Sequence, residues 1–367
     1  MHPFIKKLLN GQKVEWKTLG ESLVRTKGTP ITAGQMKELH KENAPVKIFA
    51  GGKTFALVNF EDIPQKDIHT KPSIIVKSRG IIEFEYYDKP FSHKNEMWSY
   101  HSNNKDIEIK FIYYFLKTQE KHFQQIGSRM QMPQIATPDT DKFLIPIPPL
   151  HVQTMIVKYL DTMTSLTAEL TAELTLREKQ YNYYREKLLS FENQEGGAID
   201  WLPLGDIAKI KNGKDWKGLH SGEIPVYGSG GIMTYVDKAS YTSPSVLIPR
   251  KGSISNIFYT DKPFWNVDTI FYTEINTNRI TPKFFYYFMK NFNLSQLATD
   301  STRPSLTQTV LNKIVIPIPP LAEQQRIVDI LDKFETLTTS IKEGLPLLIQ
   351  QSQQRYKYYR EQLLTFN

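Results

Sequence analysis

Gly52-Lys53-Thr54 has the ending of a phosphate-binding loop, but that loop needs a glycine five residues before Gly52, and position 47 is lysine. Asp88-Lys-Pro-Phe91 and Asp261-Lys-Pro-Phe264 carry one proline where a base-methylating motif has two before its aromatic residue, so they read as turns before strands. Pro138-Asp-Thr-Asp-Lys142 lacks the acidic-x-Lys element of a nuclease metal site, because threonine occupies position 140. The eight histidines show no HExxH or close HxH spacing, and His151 stands alone at a helix start. Tyr227-Gly-Ser-Gly-Gly231 is rich in glycine without the context of a dinucleotide fingerprint, and reads as a tight turn. With no cysteine there is no disulfide, thiolate metal site or thiol nucleophile, which fits a reducing compartment. Each catalytic constellation fails at a named position, and the sequence reads as a binding chain.

The elements that carry those residues belong to a globular chain. It has 367 residues, 40% hydrophobic and 12% aromatic, enough for two or three domains with buried cores. Lys and Arg number 46 against 38 Asp and Glu, a formal charge of +8, which suits a polyanionic partner. No stretch approaches the roughly 18 apolar residues of a membrane span, and the expectation is a soluble cytoplasmic protein.

Comparison of the chain with itself is the informative step. Leu144-Ile-Pro-Ile-Pro-Pro-Leu150 returns 171 positions later as Val315-Ile-Pro-Ile-Pro-Pro-Leu321. Tyr181-Asn-Tyr-Tyr-Arg-Glu-Lys-Leu-Leu-Ser-Phe191 returns 175 positions later as Tyr356-Lys-Tyr-Tyr-Arg-Glu-Gln-Leu-Leu-Thr-Phe366. Phe111 to Lys117 echoes Phe284 to Lys290, and Trp16 to Gly20 echoes Trp201 to Gly205. Leu160-Asp161 against Leu331-Asp332 keeps the shorter offset, so the four extra residues lie downstream of that pair, within the helix.

Each half is a mixed region followed by a long helical pattern that begins after a stiff proline-rich strand end. The fold class is α+β. The expected division is a helical stub at 1–14, a first globular domain at 15–149, a central long helix at 150–192, a linker at 193–199, a second globular domain at 200–320 and a C-terminal long helix at 321–367. Each helix would reach roughly 60 Å if continuous. Ile156, Leu160, Met163, Leu166, Leu170, Leu174 and Tyr181 form a stripe suited to packing on a second helix as a coiled coil. Thr167-Ala-Glu-Leu170 followed by Thr171-Ala-Glu-Leu174 is a tandem quartet, and one quartet lengthens a helix by ~6 Å. Gly344-Leu-Pro346 should kink or break the second helix. Lys6-Lys-Leu-Leu9 ahead of Trp16 parallels Lys187-Leu-Leu189 ahead of Trp201, which makes the organisation circular.

The repeat, the IPIPPL strand ends leading into the Glu323-Gln-Gln-Arg-Ile-Val-Asp-Ile-Leu-Asp332 helix, the TAEL pair and the Tyr-rich helix ends together resemble specificity subunits of type I restriction-modification systems. The TAEL pair resembles the spacer of one subfamily. The resemblance covers nearly the whole chain. It implies two target-recognition domains related by a pseudo-twofold and held apart by antiparallel helices, each reading half of an interrupted double-stranded DNA site. It also implies two methyltransferase subunits docked on the chain and restriction subunits joined through them. S-adenosylmethionine, ATP and Mg are then expected on those partners, with no cofactor or metal on this chain. An autonomous DNA-modifying enzyme and a coiled-coil scaffold without DNA are the competing classes.

Residues shared between halves should be scaffold or phosphate grips, and divergent polar residues should read bases. Lys77 and Arg79, set against Arg250 and Lys251, are basic pairs just before a glycine. Arg129, Gln131 and Gln134, against Arg303, Ser305 and Thr307, diverge, and Arg suits guanine while Gln suits adenine. Gly51, Gly52 and Lys53, and Tyr227, Ser229 and Gly230, would allow close approach of backbone to DNA. Leu160, Leu166, Leu170, Leu174, Tyr181, Tyr184, Leu331, Phe334, Leu337, Tyr356 and Tyr359 are assigned to the spacer or a subunit interface.

Overall fold

The computed structural model describes residues 1–127, 132–191, 199–298, 304–339 and 344–366. The chain forms two compact units, Met1–Leu170 with Ile349–Asn367, and Thr171–Leu348. Both are α+β, and they repeat one topology.

Unit 1 holds β1 (Glu15–Thr18), β2 (Val24–Lys27), β3 (Val46–Phe49), β4 (Phe55–Val58), β5 (Ser73–Lys77), β6 (Glu83–Tyr87), β7 (Phe91–His93), β8 (Trp98–His101) and β9 (Leu144–Ile147). They form an antiparallel sheet β2-β8-β5-β6, a mixed sheet β4-β3-β7 and a ribbon β1-β9. Unit 2 holds β10 (Asp200–Pro203), β11 (Ala208–Lys211), β12 (Ser221–Gly228), β13 (Gly231–Val236), β14 (Ser245–Pro249), β15 (Phe258–Thr260), β16 (Trp265–Asn266), β17 (Ile270–Ile275) and β18 (Val315–Ile318). Its sheets run β11-β17-β14-β15, β13-β12-β16 and β10-β18, the same plan strand for strand.

The sequence explains several of these placements. Every residue of β5 and β14 is buried, as the apolar runs Ile74 to Val76 and Val246 to Pro249 in central strands require. Pro146 and Pro317 lie opposite Trp16 and Trp201 in two-stranded ribbons, where a strand has a free edge and a missing N–H costs little. In unit 1 the helix Ile109–Gly127 buries Phe111, Ile112, Phe115 and Phe123 in a core with Ile74, Val76, Phe84 and Tyr100. The same core takes Ile5 and Leu9 from one end of the chain and Leu363, Leu364 and Phe366 from the other. In unit 2 the helix Pro282–Asn291 buries Phe284, Phe285 and Tyr287 with Val246, Ile248 and Phe271, and Tyr181, Leu189 and Phe191 fill the place that the chain ends fill in unit 1.

One buried amide per unit ties the proline-rich strand end to the helix that follows. The Gln153 side chain accepts from the Glu108 N–H at 2.9 Å and donates to the Asp106 and Pro148 carbonyls at 3.0 and 2.7 Å. Gln324 accepts from the Thr281 N–H at 2.7 Å and donates to the Arg279 and Pro319 carbonyls at 2.9 and 2.8 Å. About two turns further on, Asp161 takes Lys110 and the Tyr114 hydroxyl, while Asp332 takes Lys283 and the Tyr287 hydroxyl.

The helix Leu150–Leu189 runs unbroken for 40 residues. Its inward stripe departs from the expected one at Leu166, which is 49% exposed, whereas Thr167 is half-buried and its hydroxyl meets that of Ser352 at 2.7 Å. At about 100° per residue, Thr167 lies roughly 20° from Leu160 around the helix, and Leu166 lies on the far side. Within unit 1, Tyr159 packs on Tyr359, with ring centroids 5.4 Å apart. Moving from Tyr159 to Thr167 therefore moves the partner back from Tyr359 to Ser352, so the two segments run antiparallel there. The second helical stretch is two helices, Leu321–Thr339 and Leu345–Leu363, rather than one across 321–367. Pro346 sits in the first turn of the latter, where a helix has no use for its missing N–H.

Candidate nucleic-acid interface

Two loops in each unit stand at equivalent places in the repeated plan. The first is the hairpin turn of the three-stranded sheet. In unit 1 the Ala50 N–H donates to the Thr54 carbonyl at 3.0 Å, and Gly52 holds φ +66°, a conformation that suits glycine. Nothing lies within 4 Å of where a Cβ would stand on Gly51 or Gly52, so the turn is open, and Lys53 is exposed. A recess of about 210 Å³ beside it is lined by Lys47, Phe49, Lys53, Phe55, Lys77 and Glu85, among others. In unit 2 the equivalent turn is Ser229-Gly230, with Gly230 likewise open. The Ser229 N–H donates to Thr269 Oγ1 at 3.3 Å, and its carbonyl accepts from Asn256 Nδ2 at 3.1 Å.

The second loop is a basic turn closed by a bridge to a distant segment. Arg79 pairs with Gln134, and Lys251 pairs with Ser305. In both units the following glycine is left-handed, Gly80 at φ +74° and Gly252 at φ +81°. Each donates its N–H to a proline carbonyl, Pro133 at 2.9 Å and Pro304 at 3.2 Å. In unit 2 the two loops meet, because a Cβ on Gly252 would come 3.2 Å from Ser229 Oγ. The structure therefore gathers Ser229, Gly230, Lys251 and Ser305. In unit 1 the sites form two groups, Gly52 and Lys53 with Lys77, and Arg79 with Gln134.

Some sequence-derived candidates take other roles. Lys77 is buried, and its ammonium lies 2.7 Å from Glu83 and 2.9 Å from Glu85. Burial opposes its charge, yet the two carboxylates hold its pKa above the usual lysine range, so it is not a free surface cation. Its position matches Pro249; Arg79 matches Lys251, and the half-buried Arg250, whose guanidinium lies 5.9 Å from the Phe271 ring centre, matches Ser78. Tyr227 packs between Phe258 and Phe264, at centroid distances of 5.9 and 6.2 Å, and burial raises its phenol pKa. The Thr307 hydroxyl caps a one-turn helix by accepting from the Val310 N–H at 3.3 Å. Arg129, Gln131 and Arg303 lie outside the described residues.

Of the spacer set, Leu160 and Leu331 are fully buried, and Leu170, Leu174 and Leu337 are half-buried. Tyr181 and Tyr184 both pack on Phe334, at 6.4 and 5.6 Å. Tyr356 and Tyr359 pack against the unit 1 core. Sequence reasoning missed Phe55, Ile232, Met233 and Tyr235, all about half exposed beside the hairpin turns. The only sign of them is an apolar run after a glycine-rich turn, a pattern that equally describes a buried strand.

Among the described residues no group of three or more His, Cys, Asp or Glu could hold a metal ion, and no helix is long and apolar enough to cross a membrane. His93 is buried with its ring 5.7 Å from that of His69, and burial lowers its pKa to about 4, so it is neutral near pH 7.

The family model described as "Type I restriction modification DNA specificity domain" matches residues 12–176 and again 200–351, one match per half. A putative type I restriction enzyme specificity subunit of Haemophilus influenzae is 33% identical over 99% of this chain and 98% of its own length. The EcoR124I/EcoR124II specificity subunit of Escherichia coli is 32% identical over 99% and 97%. The crystal structure of the S subunit of a type I restriction-modification system from M. genitalium superposes with a TM-score of 0.66 over 98% of both chains at 20% identity, a likeness of fold. With two family matches that cover most of its length, this chain belongs to the type I restriction-modification DNA specificity family.

Proposed function

We propose that the chain is the DNA-recognition subunit of a type I restriction-modification complex and that each unit reads one half of an interrupted duplex site. The observation that carries this is the repeat itself. Both units build the same three sheets and the same bridged basic turn, yet the side chains offered there differ, with Lys53, Arg79 and Gln134 in one and Ser229, Lys251 and Ser305 in the other. A shared frame with divergent contacts suits two different half-sites.

The helices set the gap between half-sites and dock two methyltransferase subunits, and restriction subunits join through those. The tandem quartet fits the TAEL-type spacer subgroup. The chain itself catalyses nothing and works in the cytoplasm; S-adenosylmethionine, ATP and Mg belong to the partners. Supporting this, each catalytic motif in the sequence is incomplete at a named position.

The test is co-expression with a type I methyltransferase subunit and mapping of methylated bases on plasmid DNA. One interrupted motif with a fixed gap is expected. Methylation without sequence preference, or at a continuous motif, overturns the proposal.

A further inference from the structure

Strand β13 is an outer strand of its sheet and exposes Ile232, Met233 and Tyr235 at 49, 59 and 50%. Outer strands usually carry charge there, because bare apolar edges invite aggregation, but Gly231 to Val236 has no Asp, Glu, Lys or Arg. A bulge produces the exposure. Tyr227 pairs with Ile232 and Val226 with Thr234, which leaves Met233 as the extra residue and puts two successive residues, Ile232 and Met233, on the exposed side. Gly228 makes the room, since a Cβ there would stand 2.6 Å from Met233 Sδ.

The stretch of chain that carries the ribbon is basic, although Lys211 and Lys251 lie near Glu274 and Asp268. From Lys209 to Lys251 there are seven Lys and Arg against three Asp and Glu. The turn before β13 lies against Gly252, next to Lys251. An apolar strip in a cationic frame complements a polyanion that presents isolated apolar groups. The major groove of DNA does so, because it admits a two-stranded ribbon and its base edges carry one apolar group, the thymine C5-methyl.

We propose that the β12–β13 ribbon enters the major groove and that Ile232 and Met233 read thymine methyls in the half-site of unit 2. This rests on the bipartite reading above. The equivalent β3–β4 ribbon offers a different surface, with exposed Phe55 beside Lys47 and Lys53, so the methyl dependence belongs to one half-site only.

The experiment uses the full chain with its methyltransferase subunit and duplexes in which each thymine of the bound site is replaced, one at a time, by uracil, which lacks only the methyl. One or two replacements, all in the same half-site, should weaken binding about fourfold each, the value of one buried methyl. The Ile232→Ser, Met233→Ser double variant should bind thymine and uracil duplexes alike, and Met233→Gln alone should lose part of the discrimination. Equal binding of all uracil duplexes, a site without thymine, or discrimination that survives in the double variant would overturn the inference and leave the bipartite reading intact. Binding without sequence preference would remove both. A double variant that loses the methyltransferase subunit but keeps its DNA selectivity would mark β13 as a protein interface, and would likewise overturn it.

Discussion

Replacing Gln324 with leucine should loosen unit 2 and leave unit 1 unchanged. The Gln324 side chain is fully buried and makes three hydrogen bonds, at 2.7, 2.8 and 2.9 Å, to the Thr281 N–H and the Pro319 and Arg279 carbonyls. Leucine has similar bulk but can satisfy none of these groups. A buried polar group left without a partner costs about 1–3 kcal/mol, and part of that is offset by the greater apolarity of leucine. The net expectation is a loss of about 2–4 kcal/mol, or about 5–12 °C in the melting of a unit of this size. Hydrogen exchange read by mass spectrometry localises the effect: protection should fall in Arg279 to Tyr287 and at the start of the helix Leu321–Thr339, but not in unit 1. Gln153→Leu should do the converse, because Gln153 makes the equivalent bonds to Glu108, Asp106 and Pro148. Unchanged protection and a melting temperature within about 1 °C of the parent would refute the clamp.

Acid should weaken unit 1 through His93. Its pKa is about 4 in the folded state and 6.5 ordinarily, so the unfolded chain takes up a proton first as pH falls. Stability from this group is full above pH ~6.5 and declines by about 3 kcal/mol towards pH ~4; thermal unfolding at pH 7 and 5 should show the decline in the parent and a flatter profile in His93→Gln. Arg79→Ala and Lys251→Ala should each weaken DNA binding similarly across sequences and reduce the slope of log affinity against log salt by about 1, as titrations at several salt concentrations would show. Leu160→Ala should cost about 2–5 kcal/mol in unit 1, whereas Leu166→Ser should shift melting by less than about 1 °C, since one side chain is enclosed and the other faces solvent.

The repeat, the long helix and the helix break before Pro346 were legible because each depends on local spacing. A proline-rich strand end, a heptad-like stripe and a helix-breaking residue act within a few positions of themselves. Leu166 was misplaced because apolar character was followed in preference to angle, and the inward position belongs to the polar Thr167. Lys77 and Arg250 were matched as equivalents by charge, whereas strand register sets Lys77 against Pro249 and Arg250 against Ser78, and keeps only Arg79 with Lys251. Register depends on partners more than 50 residues away, such as Gln134, and no local pattern carries it. The bulge at Met233 has the same character: an apolar run after a glycine-rich turn reads as a buried strand until the pairing with Val226 and Tyr227 is known.

The most direct test of the central claim is selection of bound sequences from random duplex DNA by the chain in complex with its methyltransferase subunit, at two salt concentrations. The account predicts one motif of two short, unlike blocks separated by an unspecified gap of fixed length, with substitutions at Ser305 altering one block only. A continuous motif, a single block, or binding that vanishes with salt without sequence preference would contradict it.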